Sequence, residues 1–414
     1  MKLSRWRKLA LIVLALVVAG SGTLGAIVWR GIPFPAPTGP HQVGRTSYHL
    51  IDASRKEIFS DDPDDFRELM ITVHYPADDA SQARRAPYAD TTLARGIAEE
   101  VDTPSFALGL MKSHALEKPP CQTRDGGFPV VIFSPGLGVP PLLYTATLED
   151  LASHGFVVVS VSHPYSIAVT AFPDGRVVAV NEAGLQGELH HKTSGSPESA
   201  GPPEGVGAVW VADVRFVLDE LARLNRDDKL LAGRLKLSRF GIFGHSFGGA
   251  TAARAVQIDE RFRAGINIDG TDFDATASSG IDLPMMWLEA EIRKIDDAAL
   301  AQASKTRAWA EEAWRIHDKR AADLQQSTPY GSRRLVRGAA HMTFASDVAL
   351  AGSTWPWSWF ASGVDLGTIP GRRAVSLVNA CVVGFFQKHL EGQSQRLDGL
   401  AHEFPELALQ MPLR

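Results

Sequence analysis

The stretch GIFGHSFGGATAARA, residues 241–255, contains the pattern G-x-S-x-G and decides how the rest of the chain is interpreted. An apolar segment precedes the pattern and a segment of small, helix-forming residues follows it, which is the strand–turn–helix context of a nucleophilic serine. Gly244 and Gly248 suit such a turn, because neighbouring backbone leaves no space for side chains at these positions. The stretch therefore predicts a nucleophile elbow with Ser246 at its tip.

Apolar segments alternate with amphipathic segments along most of the chain, which is typical of an α/β fold with a mostly parallel sheet and helices on both faces. The predicted strands are residues 66–76, 129–134, 156–162, 239–244, 264–269, 284–290 and 333–338. The predicted helices are residues 141–155, 208–224 and 375–390. Two long connections, residues 77–127 and 164–205, interrupt the alternation, and we expect such insertions to form a cover.

A nucleophilic serine needs a base, and in hydrolases of this topology the base is a histidine that follows the serine in the chain. The histidines after Ser246 are His317, His341, His389 and His402. His341 follows directly after the last predicted strand, in a loop that can reach the serine, and we predict that it is the base. His245, beside the serine, is expected to have a packing role.

The residue that orients this base is not decided by the spacing. Asp269 ends the strand after the elbow helix, whereas Glu289 and Glu291 end the next strand, and either strand can carry such an acid. Asp272 and Asp274 are close by and are expected to be carboxylates on the surface of a loop.

The segment VVIFSPGLGV, residues 130–139, is an apolar strand followed by an abrupt turn. Glycine-rich loops after strands often bind phosphate, but neither G-x-x-x-x-G-K-[ST] nor G-x-G-x-x-G occurs at a strand end here. Next to a nucleophile elbow, such a loop is the usual source of a second oxyanion-hole amide. We expect Gly136 and Gly138 to let the backbone turn so that an amide faces the serine.

Composition and charge exclude several other classes of protein. Hydrophobic residues make up 45% of the chain, charged residues 21%, and the formal charge is −5, so nucleic acid is not an expected partner. The pair His190–His191 has no third ligand near it in sequence, and no metal or other cofactor is expected. Cys121 and Cys381 are expected to be two unrelated thiols rather than a disulfide.

The N-terminus has the pattern of an export signal. Four cations within the first eight residues precede an apolar run from Leu9 to Val28, which contains a cluster of small residues. The run is also long enough to span a bilayer, which takes about 20 residues. Residues 1–30 are therefore predicted to be a signal peptide or an uncleaved anchor, and the protein to be secreted, periplasmic or held on the outer face of a membrane. A Pro-rich linker (31–45), a catalytic domain (46–392) and a C-terminal tail (393–414) are expected to follow.

Several segments together resemble the secreted or lipoprotein-associated platelet-activating-factor acetylhydrolase family. They are GHSFGGATA, DERFRAGINID (259–269), PVVIFSPGLG, YTATLEDLASHGFVVVSVSH (144–163), HMTF (341–344) and FFQKHL (385–390). The resemblance covers most of residues 66–390. It implies an α/β-hydrolase fold and a calcium-independent serine esterase of the phospholipase A type.

The resemblance also implies roles for individual residues. Ser246 is the nucleophile, His341 the base and Asp269 the acid, and the backbone amides of Leu137 and Phe247 form the oxyanion hole. The chain departs from the family at Pro135, where mammalian members have histidine, and in segments 77–127 and 291–332. The resemblance therefore does not identify the residues of this chain that form the acyl and headgroup pockets.

The segment STWPWSWF, residues 353–360, places Trp355, Trp357 and Trp359 shortly after the predicted base. Aromatic residues in such a cluster can line an acyl pocket or contact a lipid interface. Packing beneath an insertion is an equally good interpretation.

The leading hypothesis is an exported serine esterase that cleaves short or oxidised acyl chains from phospholipid-like esters, an activity in lipid degradation. A general carboxylesterase or polyester hydrolase is the alternative with the same chemistry, because this fold serves many substrates. A catalytically silent, membrane-tethered binding protein is the alternative from another class.

Overall fold

A ten-stranded sheet organises the part of the chain that the structure, a computed structural model, describes. The described residues are 31–409 except for 33, 79–81, 101–107, 110, 186–204, 274–275, 277–278, 293–305, 355–357, 359–360 and 394. The predicted export segment, the pair His190–His191, Asp274 and the three clustered tryptophans lie outside the described residues.

The strands and helices follow the alternation that the sequence predicts. The strands are β1 (Gln42–Lys56), β2 (Phe66–Ala77), β3 (Leu116–Glu117), β4 (Phe128–Ser134), β5 (Val157–Ser162), β6 (Val169–Ala171), β7 (Val177–Ala179), β8 (Leu235–His245), β9 (Phe262–Ile268), β10 (Met285–Ile292), β11 (Gly331–Ala340) and β12 (Leu407–Leu409). The α-helices are α1 (Thr91–Glu100), α2 (Thr145–Ser153), α3 (Val206–Asp227), α4 (Phe247–Ile258), α5 (Arg307–Gln326), α6 (Ser346–Gly352), α7 (Gly371–Glu391) and α8 (Gln395–Glu403). Short 3-10 helices span Pro141–Tyr144 and His341–Phe344.

The central strands of the sheet are parallel. The strand order is β12-β11-β10-β9-β8-β4-β5-β2-β1-β3, and the run from β11 to β5 is parallel throughout. β2 and β12 run antiparallel to their neighbours at the two ends of that run. The prediction of a mostly parallel sheet is confirmed, and the carboxyl ends of six adjacent strands meet at one edge, which is where parallel sheets bind their ligands.

Helices cover both faces of the sheet, as predicted, and alternate side chains of each strand enter different cores. In β4, Val131 and Phe133 pack on the face covered by α2 and α7, whereas Val130 and Ile132 pack on the face covered by α3 and α4. Because successive side chains of a strand point to opposite faces, a strand buried on both faces is continuously apolar. This explains the run VVIF in the sequence.

The two long connections pack against each other. The first contains α1 and the second contains the hairpin of β6 and β7, and these elements are in contact. A Cβ on Gly96 of α1 would lie 2.6 Å from a methyl group of Val177 and 2.8 Å from one of Val169. The helix can therefore approach the hairpin this closely only because residue 96 has no side chain.

Both ends of the described chain contribute to the sheet. β1 begins at Gln42, within the segment expected to be a linker, and β12 pairs with β11 near the C-terminus. Both cysteines are buried free thiols, Cys121 beside β2 and Cys381 in α7. Across the ranges described above, no helix has the length and apolarity needed to cross a membrane.

Replacement of Phe386 by alanine should destabilise the fold strongly. The ring is completely buried in α7 and lies near Phe156, Phe243 and Phe385, so its removal leaves a cavity between helix and sheet. We expect a loss of about 3–5 kcal/mol in the free energy of unfolding, measured by urea denaturation. Tyr330→Ala is the control, because Tyr330 is 67% exposed and should change stability by less than about 0.5 kcal/mol.

Candidate active site

Ser246 lies on a strained turn between β8 and α4. Its backbone has φ 55° and ψ −123°, a conformation that residues other than glycine rarely adopt. The Ser246 amide donates to the carbonyl oxygen of Ile268 at 2.8 Å, which ties the turn to the end of β9. The serine is therefore held where the predicted elbow places it, at the carboxyl edge of the parallel strands.

Glycine is required at positions 244 and 248 because other backbone atoms lie very close to both. A Cβ on Gly248 would lie 2.1 Å from the carbonyl oxygen of Ser134, and a Cβ on Gly244 would lie 2.1 Å from that of Gly248. Real Cβ atoms do not approach backbone so closely. The first turn of α4 therefore packs directly on the exit of β4.

His341 and Asp269 lie side by side at the same edge of the sheet. The Nδ1 atom of His341 is 2.6 Å from Oδ2 of Asp269, and Oδ1 of Asp269 accepts a hydrogen bond of 2.8 Å from the Ala290 amide. Burial raises the pKa of Asp269, but the hydrogen bonds from His341 and Ala290 outweigh it and hold the pKa below its usual value. The carboxylate is therefore ionised at neutral pH. Because a carboxylate only accepts, it fixes Nδ1 as the protonated nitrogen, and the lone pair of the neutral ring is then on Nε2.

The turn that carries Asp269 is supported by a buried amide. Asp269 has φ 52°, and the side chain of Asn267 accepts from the Gly270 amide at 2.9 Å and donates to Asp272 Oδ1 at 2.9 Å. Asp272 is 5% exposed and also accepts from the Trp287 indole at 2.9 Å, and burial raises its pKa to about 7. The expectation of a surface carboxylate at Asp272 is wrong, because its two partners draw it inside the turn.

The two alternative acids, Glu289 and Glu291, bind other partners. Glu289 is buried and pairs with Arg333 at 2.6 Å, and Glu291 accepts from the Gly338 amide at 2.7 Å. Of the three acids that the sequence left open, Asp269 is the one that contacts His341.

Residues 135–139, which we name the oxyanion loop, lie against the elbow. A Cβ on Gly136 would lie 3.5 Å from Cβ of Ser246. Within the described part of the chain, the amides of Leu137 and Phe247 donate to no protein acceptor, whereas those of Gly136, Gly138 and Val139 do. The predicted oxyanion donors need this property, because an amide that already donates to the protein cannot bind an oxyanion. Their side chains pack in one apolar cluster with Trp210.

His245 does more than pack. It is buried, and its Nε2 lies 3.1 Å from the carbonyl oxygen of His341 and its Nδ1 lies 2.7 Å from the Tyr144 hydroxyl. Because a carbonyl only accepts, Nε2 carries the proton and Nδ1 accepts from Tyr144; burial and the nearby His341 lower the pKa of His245 to about 3. The Tyr144 oxygen in turn lies 3.4 Å from the Gly136 amide. One chain of hydrogen bonds thus connects the oxyanion loop with the backbone of His341.

A buried carboxylate anchors the segment that follows His341. Asp347 accepts hydrogen bonds from the Tyr88 hydroxyl at 2.7 Å and from the amides of Thr145 and Ala146, which begin α2. Burial raises its pKa to about 7. The sequence does not predict the roles of Tyr144 and Asp347, because their partners His245 and Tyr88 are 101 and 259 residues away in the chain.

No group of three or more histidine, cysteine, aspartate or glutamate side chains within the described ranges is placed to hold a metal ion. A serine on a strained turn, an imidazole held by a carboxylate and amides without a protein acceptor are the kinds of group that acyl transfer uses.

The chain matches the family described as platelet-activating factor acetylhydrolase, isoform II, over residues 27–183 and 218–403. It is 26% identical over 400 residues to the "Probable 1-alkyl-2-acetylglycerophosphocholine esterase" of Arthroderma benhamiae, covering 90% of this chain and 92% of that protein. It is 27% identical over 382 residues to the platelet-activating factor acetylhydrolase of Cavia porcellus, covering 86% and 78%. A solved structure, the ferulic acid esterase from Streptomyces cinnamoneus, is similar with a TM-score of 0.69 and 28% identity, covering 92% of this chain and 100% of that one.

Replacement of Gly248 by alanine should abolish the folded site. The added Cβ would contact the carbonyl oxygens of Ser134 and Pro135 at 2.1 and 2.3 Å, so α4 and the oxyanion loop must move apart. We expect a large loss of soluble protein or of thermal stability, measured by calorimetry. Gly399→Ala in α8 is the matched control, because nothing lies within 4 Å of the added Cβ there. Equal stability of the two variants would contradict the close packing.

Proposed function

We propose that this chain, which belongs to the platelet-activating factor acetylhydrolase isoform II family and is an ester hydrolase, acts through Ser246, His341 and Asp269. The observation that carries this proposal is the 2.6 Å contact between His341 and Asp269 beside the strained turn of Ser246. The acid, the base and the serine come from three different strand ends, and the fold brings them to one edge.

The first half of the reaction transfers the acyl group to the protein. His341 Nε2 takes the proton of the Ser246 hydroxyl while the oxygen attacks the ester carbonyl, and the amides of Leu137 and Phe247 bind the oxyanion that forms. The imidazolium then gives its proton to the leaving alcohol. Asp269 stabilises the imidazolium and keeps Nδ1 protonated throughout.

The second half releases the acyl group to water. His341 accepts a proton from the water that attacks the acyl-enzyme, and the same two amides bind the second oxyanion. Collapse of this intermediate returns the proton to Ser246 and frees the carboxylic acid. Neither step requires a cofactor.

We favour short or oxidised acyl chains on phospholipid-like esters as substrates. The names of the Arthroderma benhamiae and Cavia porcellus relatives refer to an acetylated glycerophosphocholine and to platelet-activating factor. An apolar cluster, to which Trp210, Ile167 and Phe59 belong, packs against the side chains of Leu137 and Phe247. This places an apolar wall beside the proposed oxyanion hole.

A general carboxylesterase is the second candidate. The similarity to a ferulic acid esterase over 92% of this chain supports it, because that protein is named for a different ester. The pairing of His341 with an ionised Asp269 argues against a catalytically silent binding protein, since a binding scaffold has no need of an oriented base.

The N-terminal pattern supports export, with residues 1–30 as a cleaved signal or as an anchor that keeps the protein at a membrane. Mass spectrometry of the protein from a secreting host distinguishes the two, because cleavage removes the apolar run and an anchor retains it.

Ser246→Ala should abolish hydrolysis of p-nitrophenyl acetate, because it removes the only atom proposed to attack the ester. Asp269→Asn should lower kcat by about 10⁴-fold through loss of the correct imidazole tautomer. Glu289→Gln is the matched control, since it removes a buried carboxylate charge that does not contact His341, and it should keep near-normal kcat if folded. Full activity in Ser246→Ala would refute the proposed nucleophile, and a greater loss in Glu289→Gln than in Asp269→Asn would refute the proposed acid.

A panel of esters should separate the two candidate substrate classes. We expect kcat/KM to be highest for glycerophosphocholines with a short or oxidised sn-2 chain and to fall steeply as that chain lengthens. A ferulate ester and long-chain p-nitrophenyl esters complete the panel. Higher kcat/KM on the ferulate ester than on every phospholipid would favour the general carboxylesterase instead.

A further inference from the structure

A second set of serine, histidine and aspartate side chains lies directly behind the oxyanion loop. Ser134 Oγ is 3.2 Å from His163 Nε2, and His163 Nδ1 is 2.8 Å from Asp213 Oδ2. All three residues have exposed fractions of 0%. No substrate can reach this serine, so the three residues do not form a second nucleophilic site.

The protonation of this set follows from its surroundings. Burial lowers the pKa of His163 and outweighs the opposing effect of Asp213, so the ring is neutral at neutral pH. Burial raises the pKa of Asp213, but the charge of Arg67 and the bond from His163 reverse this and hold the pKa well below its usual value. Because the ionised carboxylate only accepts, His163 donates from Nδ1, and Nε2 accepts from the Ser134 hydroxyl.

Two guanidinium groups fix the carboxylate. Arg67 donates to both oxygens of Asp213, from Nε at 3.1 Å and from Nη2 at 2.7 Å, and Arg55 Nη1 lies 2.9 Å from Oδ1. Arg67 is 1% exposed and also donates to Glu57 at 2.7 Å. A bidentate arginine defines both the position and the plane of a carboxylate, so Asp213 is a rigid support for the His163 ring.

The His163 segment holds the oxyanion loop at both of its ends. At the start, the ring accepts from Ser134, which directly precedes Pro135. At the end, the Gly138 amide donates to the Ser166 carbonyl at 2.8 Å, and the Ala168 amide donates to the Gly138 carbonyl at 3.1 Å. The carbonyl of His163 itself accepts from the Ser166 amide at 3.2 Å, so both attachments lead back to one residue.

The same ring also supports the other oxyanion donor. Trp210 stacks on His163 with ring centroids 3.9 Å apart and planes 11° apart. Trp210 also contacts Phe247 edge-on, with 5.0 Å between the ring centroids. The position of Phe247 sets the direction of its amide at the start of α4, so His163 is connected to both donors.

We propose that His163, held by Asp213 and Arg67 and bonded to Ser134, is a positioning residue that sets the distance between the Leu137 and Phe247 amides. The proposal rests on the proposed function of Ser246 and deepens it. Hydrogen-bond donors that are already oriented towards the developing oxyanion stabilise the transition state more than they stabilise the bound ester. A loosened loop should therefore lower kcat and leave KM nearly unchanged.

Ser134→Ala tests this most directly, because it removes one buried hydroxyl and leaves the ion pairs intact. With p-nitrophenyl acetate we expect kcat to fall about 10–100-fold, less than the loss of a whole donor, with KM within about twofold. A trifluoromethyl ketone forms an anionic adduct with the serine, and its affinity should fall by a similar factor. The corresponding amide forms no such adduct and should bind unchanged.

Two replacements of His163 distinguish its hydrogen bond with Ser134 from its hydrogen bond with Asp213. In His163→Gln the amide reaches the position of Nε2 and can accept from Ser134, whereas in His163→Asn it reaches only that of Nδ1 and can bond only Asp213. We expect Gln to retain clearly more kcat than Asn. Asp213→Asn is avoided, because it removes one of the two carboxylates that neutralise the buried Arg67 and the variant can fail to fold.

Matched controls come from the neighbouring strands. Ser160→Ala removes a buried hydroxyl that bonds the Thr72 carbonyl rather than the loop. His74→Gln changes a buried histidine of β2. In the sheet, residue 74 is aligned with Val158, near the start of β5, whereas His163 follows the end of β5. Both should keep normal kcat. Circular dichroism and the Tm of each variant confirm that folded protein is compared.

Normal kcat in folded Ser134→Ala, equal losses in the Gln and Asn variants, or parallel weakening of the ketone and the amide would each overturn the positioning role. An active Ser246→Ala would overturn the proposed function itself, so the two failures can be told apart.

Discussion

The close approach of the elbow to the exit of β4 is the constraint on which the site depends. Gly248 lies so near the carbonyl oxygens of Ser134 and Pro135 that a single added carbon would meet them at 2.1 and 2.3 Å. This contact holds the start of α4, which includes Phe247, against the exit of β4, from which the oxyanion loop continues. It also leaves Ser246 at φ 55°, a strained conformation that the packing on both sides must maintain.

The parts of the site that the sequence predicts are those whose geometry is local. The elbow can be predicted because its strand, turn and helix are contiguous in the sequence. His341 can be predicted because it directly follows an apolar strand. The acid was left open because Asp269 and Glu289 both end strands that reach the same edge, and spacing carries no information about sheet register. In the structure, Asp269 accepts from Ala290 and contacts His341, whereas Glu289 pairs with Arg333. This difference depends on the pairing of β9 with β10.

The supporting residues escaped prediction because their partners are distant in sequence. His163 lies 29 residues from Ser134 and 50 from Asp213, and Arg67 lies 146 residues from Asp213. Each resembles an ordinary polar residue at a strand end or on a helix. The prediction of a surface carboxylate at Asp272 is wrong for the same reason, since its partner, the indole of Trp287, is 15 residues away in the chain. Burial of polar groups requires partners, and only the fold identifies them.

The oxyanion loop is held from two sides by networks of different electrostatic character. On one side, Tyr144 and the neutral His245 connect Gly136 with the backbone of His341 through uncharged groups. On the other side, His163 connects Ser134 with the carboxylate of Asp213 and the guanidinium of Arg67, which are both buried. The charges behind the loop can stiffen it without contacting His341, whose carboxylate partner is Asp269. The loop can therefore be held rigidly from behind by charged groups, while uncharged groups hold it on the side that leads to His341.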